Sequence, residues 1–289
     1  MKDALNVRTL LLLALAFIGM MLYSEWQAEH PPQVTAETHA VSENGLPRAT
    51  IEDNSIPVDD TSVALPAPDQ KIDTSKLILV ETDLLKIKID KKGGDIVYAE
   101  LKAYPAKKDT PENGFVLLDR AQERFYIAQT GLSSAQGPDS QTTGRALYQS
   151  SSDHHVLSAT DDTLQVVLNW MSQEGVSFKK IFTFKRDSYL VDVGYEVNNT
   201  TSQTWQGKFY GQIQRKAPES SKGLTGMHTY EGGALFTPEK KFKKVSFSDM
   251  QSKAFKETIQ GGWAAMVEHY FLAAWVPNQE AQHTYYTSI

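Results

Sequence analysis

The sequence predicts an all-β-dominated protein in which a large antiparallel β-sandwich follows one N-terminal transmembrane helix. Three observations predict this fold class. The chain of 289 residues begins with an uncharged apolar segment, continues with a proline-rich acidic segment, and then alternates apolar and polar residues with a period of two. A mean hydropathy of -0.39 argues against several membrane spans, because each would need about 20 apolar residues.

The predicted transmembrane helix lies within residues 1–26. Residues 9–23 read TLLLLALAFIGMMLY and, with the two preceding residues, approach the minimum length for crossing a bilayer. Bulky side chains stand where a signal peptidase needs small ones, which favours a retained signal anchor over a cleaved signal peptide. Lys2 and Arg8 precede the span, while Glu25 and Glu29 follow it. The positive-inside rule therefore predicts a cytoplasmic N-terminus and an exported remainder.

Residues 27–75 form the predicted linker. Six of the chain's 12 prolines fall in this segment, and no apolar periodicity survives there. Residues 24–70 carry nine acids against one base, a net charge of -8 compared with -6 for the whole chain. Such a segment cannot bury enough apolar surface to offset its ordering entropy, so we expect an extended tether.

Residues 76–289 form the predicted β domain. Leu85, Ile87 and Ile89 alternate with polar residues, and Gly93-Gly94 then supplies the tight reversal of a hairpin into residues 96–101. Similar alternation predicts further strands at residues 164–170, 176–185, 189–197, 205–213, 243–247, 263–267 and 271–276. The alanine-rich residues 264–274 leave a helix open as an alternative. Ten or more strands with few helices predict a large antiparallel sandwich.

Composition and motifs exclude several functional classes. The chain has no cysteine, which excludes disulfides, thiolate zinc sites and a cysteine nucleophile. A sequence pI of about 5.7 gives no electrostatic reason to expect a nucleic-acid partner. The phosphate-binding, dinucleotide-binding and zinc-protease motifs are also missing from the sequence. We therefore predict no cofactor and no metal site.

Histidine and glutamate side chains are the candidates for acid–base chemistry. His154 and His155 would point to opposite faces of a strand, so a solvated loop is the favoured interpretation. The second set could line a sandwich cleft and act on a sugar hemiacetal, because proton transfer needs a group that titrates near neutrality and a partner. This set comprises His228, Glu231, Glu268 and His269. Sequence spacing alone does not bring its members together.

The densest basic segment is a candidate contact surface. It contains Lys240, Lys241, Lys243 and Lys244. These lysines could bind anionic lipid or an acidic partner, or they could keep an edge strand from pairing with another chain. The edge-strand interpretation is favoured.

Glycine pairs and an aromatic group allow structural interpretations as well as functional ones. Gly232-Gly233 and Gly261-Gly262 are interpreted as turn glycines rather than ligand contacts. The aromatic residues at 263, 270, 271 and 275 could form an exposed peptide-binding platform, but sandwich core is the favoured interpretation.

Several ordered segments resemble one family, the membrane protein insertases of the YidC/Oxa1/Alb3 group. The N-terminal anchor and proline-rich tether fit its first transmembrane segment. The matching segments in the β domain are residues 81–105, 115–119, 126–132, 183–186, the GGWAAMVEHYFLAAWVP of residues 261–277, and the final HTYYTSI. The resemblance covers nearly the whole chain.

The resemblance implies a galactose mutarotase-like antiparallel β-supersandwich on the periplasmic side of the bacterial inner membrane. It implies insertion, folding and assembly of nascent inner-membrane proteins, alone or with the Sec translocon and its SecDF-YajC complex. The family's work is not covalent catalysis. A hydrophilic groove, built by a five-helix bundle after the periplasmic domain, lowers the desolvation cost of moving polar segments into the bilayer.

The chain ends before the groove, so no groove residues are assigned. We expect either a piece of a longer protein or a truncated product that lacks its last strands. One alternative function is a membrane-tethered carbohydrate-binding or mutarotase-like protein that uses the sandwich cleft. Another is an adaptor that docks on SecDF through residues 214–244.

Overall fold

The structure, a computed structural model, describes residues 76–107, 109–140, 144–217 and 230–289. The predicted transmembrane helix of residues 1–26 and the whole predicted linker of residues 27–75 lie outside these ranges. Within them, no helix has both the length and the apolar composition that a membrane crossing requires. The described residues are almost entirely β-structure.

The described residues form nineteen strands and one short helix. In chain order these are β1 (Leu77–Glu81), β2 (Leu85–Asp90), β3 (Asp95–Lys107), β4 (Thr110–Asp119), β5 (Tyr126–Ser133), β6 (Asp139–Ser140), β7 (Gly144–Arg145), β8 (Gln149–Ser150), β9 (His154–Val156), β10 (Thr163–Met171), β11 (Ser177–Lys185), β12 (Val191–Asn198), β13 (Lys208–Arg215), β14 (Glu231–Thr237), β15 (Lys241–Val245), α1 (Phe247–Ser252), β16 (Lys256–Gln260), β17 (Trp263–Glu268), β18 (Phe271–Trp275) and β19 (Gln282–Tyr286).

The strands form three larger sheets and one two-stranded pair. Sheet I has the order β7-β6-β5-β4-β3-β2-β1-β9, with β13 paired to β5. Sheet II has the order β12-β11-β10-β8, and sheet III has the order β15-β14-β17-β18. Strands β16 and β19 pair with each other. The pairing is antiparallel except between β1 and β9 and between β5 and β6.

Sheets I and II share one hydrophobic core, as in a β-sandwich. The buried cluster includes Ile78 and Val80 of β1 together with Phe182 and Phe184 of β11. Met266 of sheet III belongs to the same cluster. Alternation explains this arrangement, because every second side chain of a strand points to the same face. The all-β prediction is therefore confirmed.

The predicted hairpin at the start of the domain is also confirmed. Leu85 of β2 pairs with Leu101 of β3 in an antiparallel register. Gly93 and Gly94 adopt φ angles of 78° and 65° in the reversal between these strands. Glycine suits such positions because it has no side chain to clash in the left-handed region. The predicted strands of residues 164–170, 176–185 and 189–197 correspond to β10, β11 and β12.

Two strand and helix assignments need correction. Phe247 was expected to end a strand but begins α1, because Ser246 and Asp249 form a capping box that satisfies backbone N–H groups at the helix start. The alternative helix over residues 264–274 is replaced by the strands β17 and β18. Their antiparallel pairing buries Met266 and overrides the helix propensity of the alanines.

Three other interpretations are also wrong. His154 and His155 lie in β9 rather than in a loop, because β9 pairs with β1. Gly232-Gly233 lies inside β14 rather than in a turn, and a side chain on Gly233 would stand 2.6 Å from the Met250 methyl carbon. Tyr270 is not core, since it is 89% exposed.

Candidate functional site

The structure brings together three of the four predicted cleft residues. Glu231, the first residue of β14, pairs directly with Glu268, the last residue of β17. His269 follows in the turn to β18, with its Nε2 3.0 Å from Oε1 of Glu231. His228 lies outside the described residues. Antiparallel pairing of β14 with β17 thus creates a proximity that sequence spacing could not reveal.

Two arginines complete this cluster. Nη2 of Arg124 donates to both carboxylate oxygens of Glu268 at 2.9 Å. Nη2 of Arg215, at the end of β13, donates to Oε2 of Glu231 at 2.9 Å and lies 3.7 Å from Glu268. The Arg215 side chain is only 5% exposed, and its guanidinium lies 5.1 Å from the centre of the Tyr126 ring. The cluster therefore joins sheet I to sheet III.

This geometry suits a structural joint better than an acid–base site. A general base needs a lone pair directed at its substrate. Here both carboxylates accept charge-assisted hydrogen bonds from guanidinium groups. Among the described residues, no group of three or more histidines and carboxylates is placed to hold a metal ion. The sequence did not identify Arg124 and Arg215 as members of this cluster, because no motif or spacing links them to the glutamates.

Glu268→Gln tests the stabilising role of this joint. We expect the free energy of unfolding to fall by about 1–3 kcal/mol, because the neutral amide replaces a carboxylate that accepts two bonds from a guanidinium. Urea denaturation followed by circular dichroism measures this change. Glu196→Gln is the matched control, since Glu196 pairs with Lys179 at 3.1 Å but is 61% exposed. That variant should lose less than about 1 kcal/mol, and equal losses in the two variants would contradict the stabilising role.

A second ionic cluster is largely buried between sheets I and II. Arg145 of β7 pairs with both oxygens of Asp95 at 2.8 Å, and its Nε donates to Oδ1 of Asp139 at 3.1 Å. Lys180 of β11 is 0% exposed and donates to the carbonyl oxygens of Gly93 and Thr130 at 2.9 and 2.7 Å. We call these four charged residues, Asp95, Asp139, Arg145 and Lys180, the buried ionic cluster.

Burial dominates the electrostatics of the buried ionic cluster. Desolvation lowers the pKa of Lys180 to about 7, although Asp95 acts in the opposite direction. Desolvation also raises the pKa of Asp139, against the attraction of Arg145. Both shifts follow because removal from water penalises the charged form of each group.

The hairpin glycines make room for the buried ionic cluster. A side chain on Gly93 would collide with the Arg145 guanidinium, and one on Gly94 would lie 2.8 Å from Cδ of Lys180. The predicted hairpin therefore has a packing role in addition to its turn geometry. Lys180 was not among the functional candidates identified from the sequence, although its position in the strand pattern indicates a buried charge. It occupies the same inward phase of β11 as Phe178 and Phe182.

The predicted basic segment lies on an edge strand, as expected. Strand β15 ends sheet III among the described residues and pairs only with β14 there. Lys240 forms an ion pair with Glu257, while Lys243 and Lys244 lie over the rings of Phe255 and Tyr230 at 4.7 and 4.6 Å. The ammonium groups of Lys243 and Lys244 thus make cation–π contacts at the edge of the sheet.

Two shallow surface cavities lie elsewhere among the described residues. The larger one, about 470 Å³, is bordered by residues between Val197 and Trp205, and the smaller one shares this loop and adds Gln136. None of the predicted cleft residues that the structure describes lines either cavity. The ion-pair cluster of Glu231 and Glu268 is therefore separate from these two cavities.

Comparison with known proteins gives a consistent relationship over this domain. A protein-family profile described as the YidC periplasmic domain matches residues 77–289. A membrane protein insertase YidC of Azotobacter vinelandii is 39% identical over 94% of this chain and 50% of its own length. Another, of Shewanella piezotolerans, is 38% identical over 98% of this chain and 51% of its own length. The chain thus spans about half the length of these curated relatives.

Proposed function

Because the chain belongs to the family of YidC membrane protein insertases, we propose that it supplies the membrane anchor and periplasmic domain of such an insertase. The observation that carries this proposal is the match of the YidC periplasmic domain to residues 77–289. The relatives' name, membrane protein insertase, supports a role in membrane protein insertion. The proposed clients are nascent inner-membrane proteins.

The proposed location is the bacterial inner membrane, with the N-terminus in the cytoplasm and the β domain in the periplasm. The apolar residues 9–23 and the basic residues before them support this orientation. We propose residues 1–26 as the anchor, 27–75 as the linker and 76–289 as the β domain. The proposed partners are the Sec translocon and its SecDF-YajC complex.

We propose that the β domain is a β-supersandwich like that of galactose mutarotases. We propose that it serves as an interaction module and not as an enzyme. The core shared by sheets I and II supports the sandwich architecture. The ion pairs that occupy Glu231 and Glu268 support a structural rather than a proton-transferring role for them. Fold alone does not imply sugar chemistry, because similar folds carry unrelated functions.

A hybrid protein tests this proposal. Residues 1–289 replace the matched half of the Azotobacter vinelandii relative, and the hybrid is expressed in cells depleted of their own insertase. We expect the hybrid to restore growth and the protease-protected insertion of a single-span client. Residues 1–289 alone should restore neither, because the chain spans only half of its relatives.

The full-length relative is the positive control, and membrane fractionation checks that all three proteins accumulate equally. A hybrid that accumulates normally but restores neither growth nor insertion would overturn the proposal for this domain. Restoration by residues 1–289 alone would overturn the proposal that these residues supply only the anchor and the periplasmic domain of an insertase.

A further inference from the structure

Four buried hydroxyl groups gather around the buried ionic cluster. They belong to Thr130, Tyr148, Tyr195 and Tyr210, and their oxygens make no well-formed hydrogen bond with any described residue. These are four of the seven buried side-chain polar atoms in the described residues that have this property. Buried hydroxyls in folded proteins are almost always hydrogen-bonded, so such a group of four requires a physical explanation.

These hydroxyls come from both sheets of the sandwich. Thr130 lies on β5 and Tyr210 on β13, both in sheet I, whereas Tyr195 lies on β12 of sheet II. The centre of the Tyr195 ring is 5.6 Å from Nζ of Lys180. Tyr148 lies between β7 and β8 and, like Thr130, is only 1% exposed. Bulk water therefore does not reach the hydroxyls of Tyr148 and Thr130.

The hydroxyls of Tyr148 and Tyr210 lie near Asp139. A side chain on Gly131 would collide with both Oδ2 of Asp139 and the hydroxyl oxygen of Tyr210, so these two oxygens are neighbours. The centre of the Tyr210 ring is 5.9 Å from the guanidinium carbon of Arg145. Burial, followed by the negative charge of Asp139, raises the pKa of Tyr148. The two tyrosines thus share one polar region inside the sandwich.

Asp139 has hydrogen-bonding capacity that its protein partners leave available. Its Oδ1 accepts from Nε of Arg145 at 3.1 Å, and its Oδ2 accepts from the backbone N–H of Leu132 at 2.8 Å. A carboxylate can accept about four hydrogen bonds, and each tyrosine hydroxyl can both donate and accept. The region therefore offers donors and acceptors that a small molecule could join.

We propose that at least one water molecule binds inside the sandwich and bridges the hydroxyls of Tyr148 and Tyr210 with the carboxylate of Asp139. A buried water typically makes two to four hydrogen bonds, which these groups supply. The buried ionic cluster contains two acidic and two basic side chains, so a neutral molecule fits better than an ion, whose charge would be buried without a partner. This inference is independent of the insertase role.

Hydroxyl-radical footprinting of the full chain tests the proposal directly. X-ray radiolysis of a bound water releases radicals beside it, and these oxidise neighbouring side chains that radicals from bulk water do not reach. Tyr126 is the internal control, because it is 0% exposed and its hydroxyl donates to the carbonyl oxygen of Met266 at 2.7 Å. Tyr270, which is 89% exposed, reports the radical dose. Mass spectrometry should show Tyr148 oxidised several-fold faster than Tyr126.

Tyr148→Phe tests the same interaction through the folding equilibrium. If water satisfies the hydroxyl, its removal should raise the equilibrium constant for unfolding about fivefold. If the hydroxyl has no partner, its removal should lower that constant, because an unpaired buried hydroxyl only costs desolvation. Tyr126→Phe is the matched control, since it removes a direct hydrogen bond and should raise the constant. Urea denaturation of the full chain measures both variants.

Either of two results would overturn the proposal. One is oxidation of Tyr148 no faster than that of Tyr126, which would mean that the hydroxyls bond directly to one another or to Asp139 in solution. The other is a Tyr148→Phe variant that is more stable than the wild type.

Discussion

Replacing Arg145 by leucine is expected to lower the free energy of unfolding by about 3–5 kcal/mol. The substitution removes the guanidinium that pairs with both oxygens of Asp95 and with Asp139. These carboxylates are 5% and 1% exposed, so water cannot replace the lost partner. A buried charge without its partner retains the full desolvation cost. Guanidinium chloride denaturation followed by tryptophan fluorescence measures the loss.

Lys185→Leu is the matched control for Arg145→Leu. Lys185 forms an ion pair of 2.9 Å with Asp192, but both side chains are about half exposed. Solvent screening leaves such pairs worth less than about 1 kcal/mol. The cost of Arg145→Leu should also be smaller at low pH, because protonation of Asp139 removes one of the unpaired charges. Equal losses in the two variants would show that the buried pairs do not stabilise the sandwich.

The local patterns of the sequence predicted the strands that alternate over several residues. Strand β11 and the β2–β3 hairpin are examples, because burial on one face imposes a period of two on their residues. Strand β9 could not be predicted in this way. It has three residues and exists through its pairing with β1, which lies far away in sequence. Helix α1, with six residues, is too short to show a helical period.

The two ionic clusters differ in how far the sequence could reveal them. Glu231, Glu268 and His269 were recognised as chemically suitable, and only the register of β14 with β17 brings them together. Arg124 lies in the loop before β5, and Arg215 is the last residue of β13. No spacing rule relates these arginines to the glutamates. Lys180 is different, because a lysine in the inward phase of an apolar strand already indicates a buried charge.

Lys180→Met is expected to change how stability depends on pH. Burial lowers the pKa of Lys180 from its ordinary value of 10.5 to about 7 in the folded chain. Between these values the unfolded chain binds a proton that the folded chain does not, so the wild-type free energy of unfolding rises with pH. The limiting slope is about 1.4 kcal/mol per pH unit. The variant lacks this contribution, so the difference between wild type and variant should grow by about 2–3 kcal/mol from pH 7 to pH 9.

Denaturation of both proteins at several pH values between 6 and 9 measures this difference, and Lys179→Met is the control. Lys179 is the exposed neighbour of Lys180 and pairs with Glu196. Its replacement should therefore change the free energy of unfolding by the same amount at every pH, so that the pH dependence keeps its slope. Other titrating groups cancel in the difference between wild type and variant. If the free energies of unfolding of wild type and Lys180→Met depended on pH in the same way, the prediction would be contradicted. That outcome would mean that the Gly93 and Thr130 carbonyl oxygens, with Asp95 and Asp139, keep the ammonium charged against its desolvation.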